Sequence, residues 1–308
     1  MDMGGLLETI FALFGVVLIG YVINKLGILN EKINSGITAL IVKVTCPALI
    51  IHSVCVENTH GDPEKVWLLL FVGVVLYVFY ILIAKIIVIP FRLPIADASV
   101  YEMMLVFSNN TFMGYPLVKV LYGDTALFYM SLIHMPFNLL IYTYGVYLAN
   151  RNVNHHVQIK MRDLLSPGLI SSILALIIYL SGCSISKPIV KILELTSGPT
   201  TMLSMLMIGS SLAMISFHGI FREYKLFFLT VIRLIVMPVC VYFIANRFLS
   251  DQVIIGLLTL SAGLPSSTMA GMIVTQYHGN VEVSSLGIVM TTFCSILSIP
   301  LIVHWFLG

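Results

Sequence analysis

Residues 108–116 read SNNTFMGYP and lie in the middle of an apolar segment long enough to cross a membrane. A glycine and a proline make this stretch a poor continuous helix, because proline lacks its N–H and clashes with the carbonyl four residues back. In hydrocarbon, each backbone group that such a break frees is costly unless a partner satisfies it. The break is therefore predicted to lie inside protein or beside a polar cavity, where Asn109 and Asn110 can meet a substrate.

The composition excludes an ordinary water-soluble domain. Of the 308 residues, 59% are hydrophobic and 10% are charged, whereas soluble domains carry about 25% charged residues. The apolar segments are continuous and do not alternate as barrel strands do, which predicts an all-α integral membrane protein in a lipid bilayer. The net charge of +2 gives no indication of a nucleic-acid partner. The five cysteines form no CxxC pair, so no metal site is expected.

Hydropathy predicts ten transmembrane helices joined by short connections. The predicted spans are residues 6–25, 34–54, 66–89, 99–121, 125–149, 165–182, 190–216, 224–248, 252–276 and 281–306. The connections leave no room for a soluble domain, and no GxxxxGK[ST] loop occurs, which argues against a nucleotide-driven pump. The bias of lysine and arginine among the loops places both termini outside a cell membrane, plasma or inner.

Two pairs of short motifs lie about half the chain apart and indicate an internal repeat. Residues 45–47 (TCP) match residues 197–199 (SGP), and residues 121–124 (LYGD) resemble residues 276–280 (QYHGN). The ninth span also contains a break of its own in the sequence SAGLPSST, residues 261–268. Matching interruptions in two halves are typical of secondary transporters and indicate the binding site.

The repeat predicts two halves of five helices, residues 1–155 and 156–308. Because five is odd, the halves enter the membrane from opposite sides and form inverted repeats. We expect helices 4 and 9 to be broken and to cross at their centres. The residues that we assign to helix breaks are glycines and prolines: Gly114, Pro116, Pro47, Pro199 and Gly263.

Motifs along the whole chain resemble the auxin efflux carrier family. Residues 110–116 (NTFMGYP), followed by LYG at 121–123, resemble the fourth-span signature of that family. Residues 46–50 (CPALI) and 207–212 (MIGSSL) resemble its second and seventh spans. The family contains the plant PIN carriers and microbial permeases that are often associated with malate. Members of the family often have glycine at the position of Thr111. Because of this difference, we do not assign the substrate of any family member to this chain.

The resemblance implies a fold of the bile-acid/sodium-symporter type. Spans 1, 2, 6 and 7 then form a scaffold, and spans 3–5 and 8–10 form a transport part. It further implies a homodimer that is not an enzyme and that works by elevator-type alternating access. The expected function is secondary active transport, as an efflux carrier or permease, of small organic anions such as carboxylates or auxin-like acids.

Broken helices that cross bring half-helix N-termini to the bilayer midplane. Each end has unpaired N–H groups and roughly half a positive charge, which suits an anion. We predict substrate contacts for residues at or near the two breaks: Asn109, Asn110, Thr111, Pro265, Ser266, Ser267, Thr268, His134 and Asn138. The last two are four residues apart and are expected to share a helical face, and the histidine suits proton coupling. Alternatively, the asparagines and serines only satisfy backbone groups at the prolines.

Three ionisable residues inside predicted spans are candidates for charge compensation or coupling. Lys43 is expected to counter an anionic substrate or to pair with an acid such as Glu194. Arg233 is expected to be an internal counter-charge or to neutralise carbonyl ends, and Glu102 to be interfacial or a ligand for a proton or cation. Coupling to H⁺ or Na⁺ stays open, and no other cofactor is expected.

Two other functions are weaker alternatives. A cation–proton antiporter needs aspartates at the crossing of the broken helices, yet Asp97 and Asp124 only flank the fourth span and Asp251 precedes the ninth. An intramembrane hydrolase would have to use a dyad of Ser108 and His134, and the chain contains no GxSxG or HExxH motif.

Overall fold

The computed structural model describes residues 3–55, 63–151, 165–214, 224–277 and 279–307. Every named element within these ranges is helical, which confirms the predicted all-α class. The α-helices are α1 (Met3–Lys25), α2 (Glu31–Leu40), α3 (Cys46–Cys55), α4 (Pro63–Val88), α5 (Ile95–Val106), α6 (Tyr115–Ile133), α7 (Met135–Leu140), α8 (Val146–Asn150), α9 (Pro167–Ser181), α10 (Lys187–Ser197), α11 (Thr200–Met214), α12 (Tyr224–Val231), α13 (Met237–Phe248), α14 (Gln252–Gly263), α15 (Thr268–Gln276) and α16 (Val281–Ile302).

Some of these helices form longer apolar segments that can cross a membrane. Five described segments are long and apolar enough by themselves: Glu8–Lys25, Glu31–Cys55, Pro63–Phe91, Tyr224–Phe248 and Val281–Phe306. A sixth results if the helices on either side of a bend at His134 form one span. The chain is therefore a helical membrane protein with several spans, while the count of ten stays a prediction.

Three of the prolines lie two residues after the end of a π-helical turn. The turns are Ile41–Thr45, Asn110–Gly114 and Ile232–Val236, and each is followed by an α-helix with proline at its second position. In an α-helix, a proline ring collides with the carbonyl four residues back. A turn that hydrogen-bonds five residues back is wider, so we infer that it gives the ring room and lets the helix continue.

The prediction that Pro47, Gly114 and Pro116 break helices is therefore wrong, because the helical backbone continues through these residues. Pro47 lies inside a continuous segment, and Gly114 has helical φ and ψ angles of −64° and −56°. Pro199 does interrupt a helix, since it lies with Gly198 in the turn between α10 and α11. Gly263 is the last residue of α14 and so marks a true helix end.

The chain folds into two compact units, each built from several segments. Unit 1 comprises Met1–Gly73, Thr111–Met135 and Leu165–Met214, and unit 2 comprises Val74–Asn110, Pro136–Leu164 and Ile215–Gly308. Both units therefore contain segments from both halves of the sequence.

In unit 1, α1 and α11 pack closely through glycines. A Cβ on Gly209 would collide with the backbone carbonyl of Val17, and one on Gly20 would collide with the backbone of Leu206. Close backbone approach through small residues is a common way for membrane helices to associate. Beside this contact, Ser210 accepts a hydrogen bond of 2.8 Å from the Asn34 side chain and donates one of 3.0 Å back to it.

In unit 2, an aromatic cluster packs around the end of α5. The ring centroids of Phe107 and Phe137 are 5.6 Å apart, and those of Tyr77 and Tyr80 are 5.5 Å apart, both in edge-to-face geometry. All four side chains are buried. The cluster gives a rigid apolar wall to the residues that follow α5.

Candidate functional site

Two interrupted helices of unit 2 meet at their breaks. Helix α5 ends at Val106 and α14 ends at Gly263, and residues 107–109 and 264–267 after them are not helical. Ser108 and Ser266 form an antiparallel bridge. The amide of Asn109 donates to the carbonyl of Pro265 at 2.8 Å, and the amide of Ser267 donates to the carbonyl of Phe107 at 2.9 Å. We call these two interruptions together the crossing.

The crossing satisfies backbone groups that the breaks free. The Ser266 hydroxyl donates to the carbonyl of Met104 at 3.0 Å, and its amide donates to the hydroxyl of Thr291 on α16 at 3.2 Å. Since no water is available in hydrocarbon, such pairing is what allows non-helical backbone at membrane depth. These bonds also hold the two breaks in one fixed arrangement.

Arg233 lies against the crossing and is completely buried. Its guanidinium donates to the carbonyl of Leu105 at 2.7 Å and to that of Leu264 at 3.1 Å, which are the C-terminal ends of the two interrupted helices. It also donates to the hydroxyl of Ser108 and lies 5.5 Å from the ring centre of Tyr80. Among the described residues, no carboxylate forms an ion pair with it. Helix dipoles and the aromatic face therefore compensate this charge.

Asn109 and Asn110 are buried at the crossing with part of their hydrogen-bonding capacity unused. Each side chain is 2% exposed. Within the described part of the chain, the Asn109 amide nitrogen and the Asn110 amide oxygen have no hydrogen-bond partner. Toward the described residues, the Asn110 nitrogen makes two long contacts, 3.5 Å to the hydroxyl of Tyr77 and 3.4 Å to the carbonyl of Ser108. A buried polar group without a partner is costly, so these atoms suit a ligand.

The helix α15, which follows the interruption at residues 264–267, begins with a capping residue. Ser267 is the N-cap residue of α15, and its hydroxyl accepts from the amide of Met269 at 3.2 Å. Of the predicted contact residues, Ser266 thus holds the crossing through its hydroxyl, whereas Ser267 holds it through its backbone amide and uses its hydroxyl to cap α15. Thr268 is half-buried, and its hydroxyl has no partner within the ranges that the structure describes.

The predicted pair of His134 and Asn138 does not share a continuous helical face. Helix α6 ends at Ile133, His134 has φ −93° and ψ 0°, and α7 begins at Met135. His134 belongs to unit 1, where its ring centre is 6.2 Å from that of Tyr115, and Asn138 belongs to unit 2. The prediction of a shared face is wrong because it assumed an unbroken helix. Thr111, which is half-buried, also belongs to unit 1.

The predicted partner of Lys43 is engaged elsewhere. Lys43 is exposed in its π-helical turn. Glu194 forms an ion pair of 3.0 Å with Lys191, one turn away on the same helix. The predicted pairing of Lys43 with Glu194 is therefore wrong.

Glu102 is buried and already compensated. Its carboxylate accepts from the hydroxyl of Tyr144 at 3.3 Å and pairs with Arg151 at 3.3 Å. These residues line a cavity of about 390 Å³ in unit 2, which also contains Lys85 and Arg92. Glu102 thus belongs to a basic cavity at the start of α5.

Three residues of the site were not predicted from the sequence, namely Tyr77, Tyr80 and Thr291. The tyrosines are the polar-tipped residues of an otherwise apolar stretch of α4, three positions apart, and this spacing was the available signal. Thr291 gave no signal, because a threonine in a membrane helix commonly bonds its own backbone, as Thr291 also does through Gly287.

Comparisons with known proteins agree with this architecture. The family model described as membrane transport protein matches the chain twice, over residues 6–160 and 149–303. The chain is 24% identical to an uncharacterized transporter of Methanothermobacter thermautotrophicus, over 96% of this chain and 97% of that protein. It is 22% identical to an uncharacterized transporter of Methanocaldococcus jannaschii, again over 96% of this chain and 97% of that protein. The similarity therefore extends over nearly the full length of this chain and of both relatives.

Proposed function

The chain belongs to the membrane transport protein family, that of the auxin efflux carriers, and from this premise we propose that it is a secondary active transporter of small organic anions. It works as an efflux carrier or permease for carboxylates or auxin-like acids. The observation that carries the proposal is the crossing, where Asn109 and Asn110 are buried with unused amide atoms. The substrate binds there.

The charges at the crossing favour an anion. Arg233 supplies a full positive charge, and its bonds to Leu105 and Leu264 neutralise the negative ends of the interrupted helices. The positive N-terminal end of α15 and the free amide of Asn109 then act on a ligand without an opposing carboxylate among the described residues. A carboxylate accepts such hydrogen bonds well because it is charged and has two oxygens.

The proposed architecture is the ten-helix inverted repeat with elevator-type alternating access. The two matches of the family model and the two units, each built from both halves, support it. The proposal includes a scaffold of spans 1, 2, 6 and 7, a transport part of spans 3–5 and 8–10, and a homodimer in the cell membrane with both termini outside. The motion is driven by H⁺, Na⁺ or the membrane potential.

The antiporter alternative lacks a carboxylate at the right place. Asp97 accepts a hydrogen bond of 2.7 Å from Asn280, Asp124 pairs with Lys119 at 3.2 Å, and Asp251 caps α14. Each aspartate near the interrupted spans therefore has a structural partner. The hydrolase alternative is weakened too, because the hydroxyl of Ser108 accepts from Arg233.

The test is transport by purified protein in proteoliposomes. Candidate substrates are labelled malate, other dicarboxylates, amino-acid-like acids and an indole acid, each assayed by uptake and counterflow. We expect Asn109→Ala and Asn110→Ala to reduce transport of the accepted anion at least about tenfold, the effect of losing one buried hydrogen bond to a charged ligand. Asn34→Ala is the matched control, since Asn34 is a buried asparagine of unit 1. Wild-type rates in both crossing variants would refute the proposed site.

A further inference from the structure

We propose that the guanidinium of Arg233 permanently occupies the cation position of the crossing, so that this carrier binds no sodium ion there. The inference rests on the proposed transport function and narrows its coupling. The atoms around the guanidinium come from separate segments of unit 2.

The ligands of the guanidinium are neutral oxygens of the kind that bind sodium. Two are carbonyls at the C-terminal ends of interrupted helices, Leu105 and Leu264, and the third is the hydroxyl of Ser108. In transporters with discontinuous helices, such helix ends and unwound carbonyls coordinate the coupling cation. Here three nitrogens of one side chain already take these oxygens. A metal ion would have to displace them.

A change of pH cannot remove the positive charge of Arg233, because a guanidinium group stays protonated in proteins. Arg233 is completely buried, and its compensation comes from helix ends and the face of Tyr80. The two functions of a bound cation, joining the interrupted helices and offsetting the charge of an anionic substrate, are thus supplied by the protein itself. Transport of the anion therefore requires no sodium, which leaves H⁺ or the membrane potential as the driving force.

The first test measures the melting temperature of purified protein in NaCl, KCl or choline chloride at equal ionic strength. We expect wild type to melt at the same temperature in all three salts. Arg233→Ala leaves the oxygens of Leu105, Leu264 and Ser108 without their cation, so we expect a lower melting temperature that NaCl raises more than choline chloride does. Guanidinium chloride at low millimolar concentration is a second probe and should also raise it. Arg233→Lys retains a cation and should show no preference for sodium.

The outcomes separate this inference from the proposed function. Selective stabilisation of wild type by sodium would overturn it, as would a folded Arg233→Ala protein that responds to no cation. If Arg233→Ala does not fold, the melting temperatures of wild type and Arg233→Lys in the three salts test the inference instead. In proteoliposomes, wild-type anion transport should be equal in sodium and choline media, and a requirement for sodium would also overturn the inference. Failure to transport any anion would refute the proposed function while leaving the melting test intact.

Discussion

Replacing Asn109 by alanine should affect stability and binding in different ways from replacing Asn34. Both asparagines are buried, 2% and 7% exposed. Asn34 exchanges hydrogen bonds of 2.8 and 3.0 Å with Ser210, whereas the Asn109 amide nitrogen has no partner among the described residues. Truncation removes the same side-chain atoms at both positions. The difference between the variants therefore reports mainly the hydrogen-bonding state of each amide.

The expected difference follows from the free energies of hydrogen bonds. Asn34→Ala loses the two buried bonds with Ser210, worth about 1 kcal/mol each, and a weaker bond from its amide nitrogen to the sulfur of Met214 at 3.0 Å. Asn109→Ala instead removes a buried donor that has no partner among the described residues. This change should raise the free energy of unfolding by about 1–3 kcal/mol. Asn34→Ala should thus be less stable than Asn109→Ala by roughly 3–5 kcal/mol. This corresponds to a gap in melting temperature of about 5 °C or more.

The assay is thermal unfolding of both variants in the same detergent, followed by titration with the accepted anion. Asn109→Ala should lose about tenfold in affinity, since one buried hydrogen bond to a charged ligand is worth about 1.4 kcal/mol or more. Asn34→Ala should retain wild-type affinity when it is folded. If Asn109→Ala is as unstable as Asn34→Ala and binds the anion normally, the Asn109 amide has a structural role and the argument is wrong.

Four further substitutions test the packing and the crossing. Gly209→Ala should destabilise the protein by about 1–3 kcal/mol in chemical denaturation, because the added Cβ meets the backbone of α1. Gly15→Ala is the control. Its Cβ has open space around it, and the substitution should stabilise the protein by up to about 1 kcal/mol. Thr291→Val leaves the buried amide of Ser266 without its acceptor and should lower stability by about 1–3 kcal/mol, seen as a lower melting temperature. Pro116→Ala should melt at or slightly above the wild-type temperature and retain anion transport, because Pro116 lies in a continuing helix and not in the break; a large loss of transport would contradict this.

The position of the break that follows α5 shows where reasoning from local sequence fails. Gly114 and Pro116 are the residues with the strongest helix-breaking tendency, yet the chain departs from helix at residues 107–109. The proline is accommodated by a π-helical turn before it. Residues 107–109 depart from helix because residues 264–267 offer backbone partners, and these lie far away in the sequence.

The pair of His134 and Asn138 failed for a related reason. Spacing by four residues places side chains on one face only in an unbroken helix. The chain instead bends at His134, and the boundary between the two units follows Met135. Whether His134 and Asn138 share a helical face therefore depends on the tertiary structure, and the spacing of the two residues does not predict it.

The sequence by itself determined that the protein is helical, that it lies in a membrane and which family it belongs to. These properties depend on continuous apolar runs and on motifs such as NTFMGYP, which are local in the chain. Only the tertiary structure decided how Arg233 is compensated, because its partners are carbonyls of Leu105 and Leu264. Every residue has a carbonyl, so the sequence contains no mark of which ones accept. The fold alone brings these two helix ends to one guanidinium.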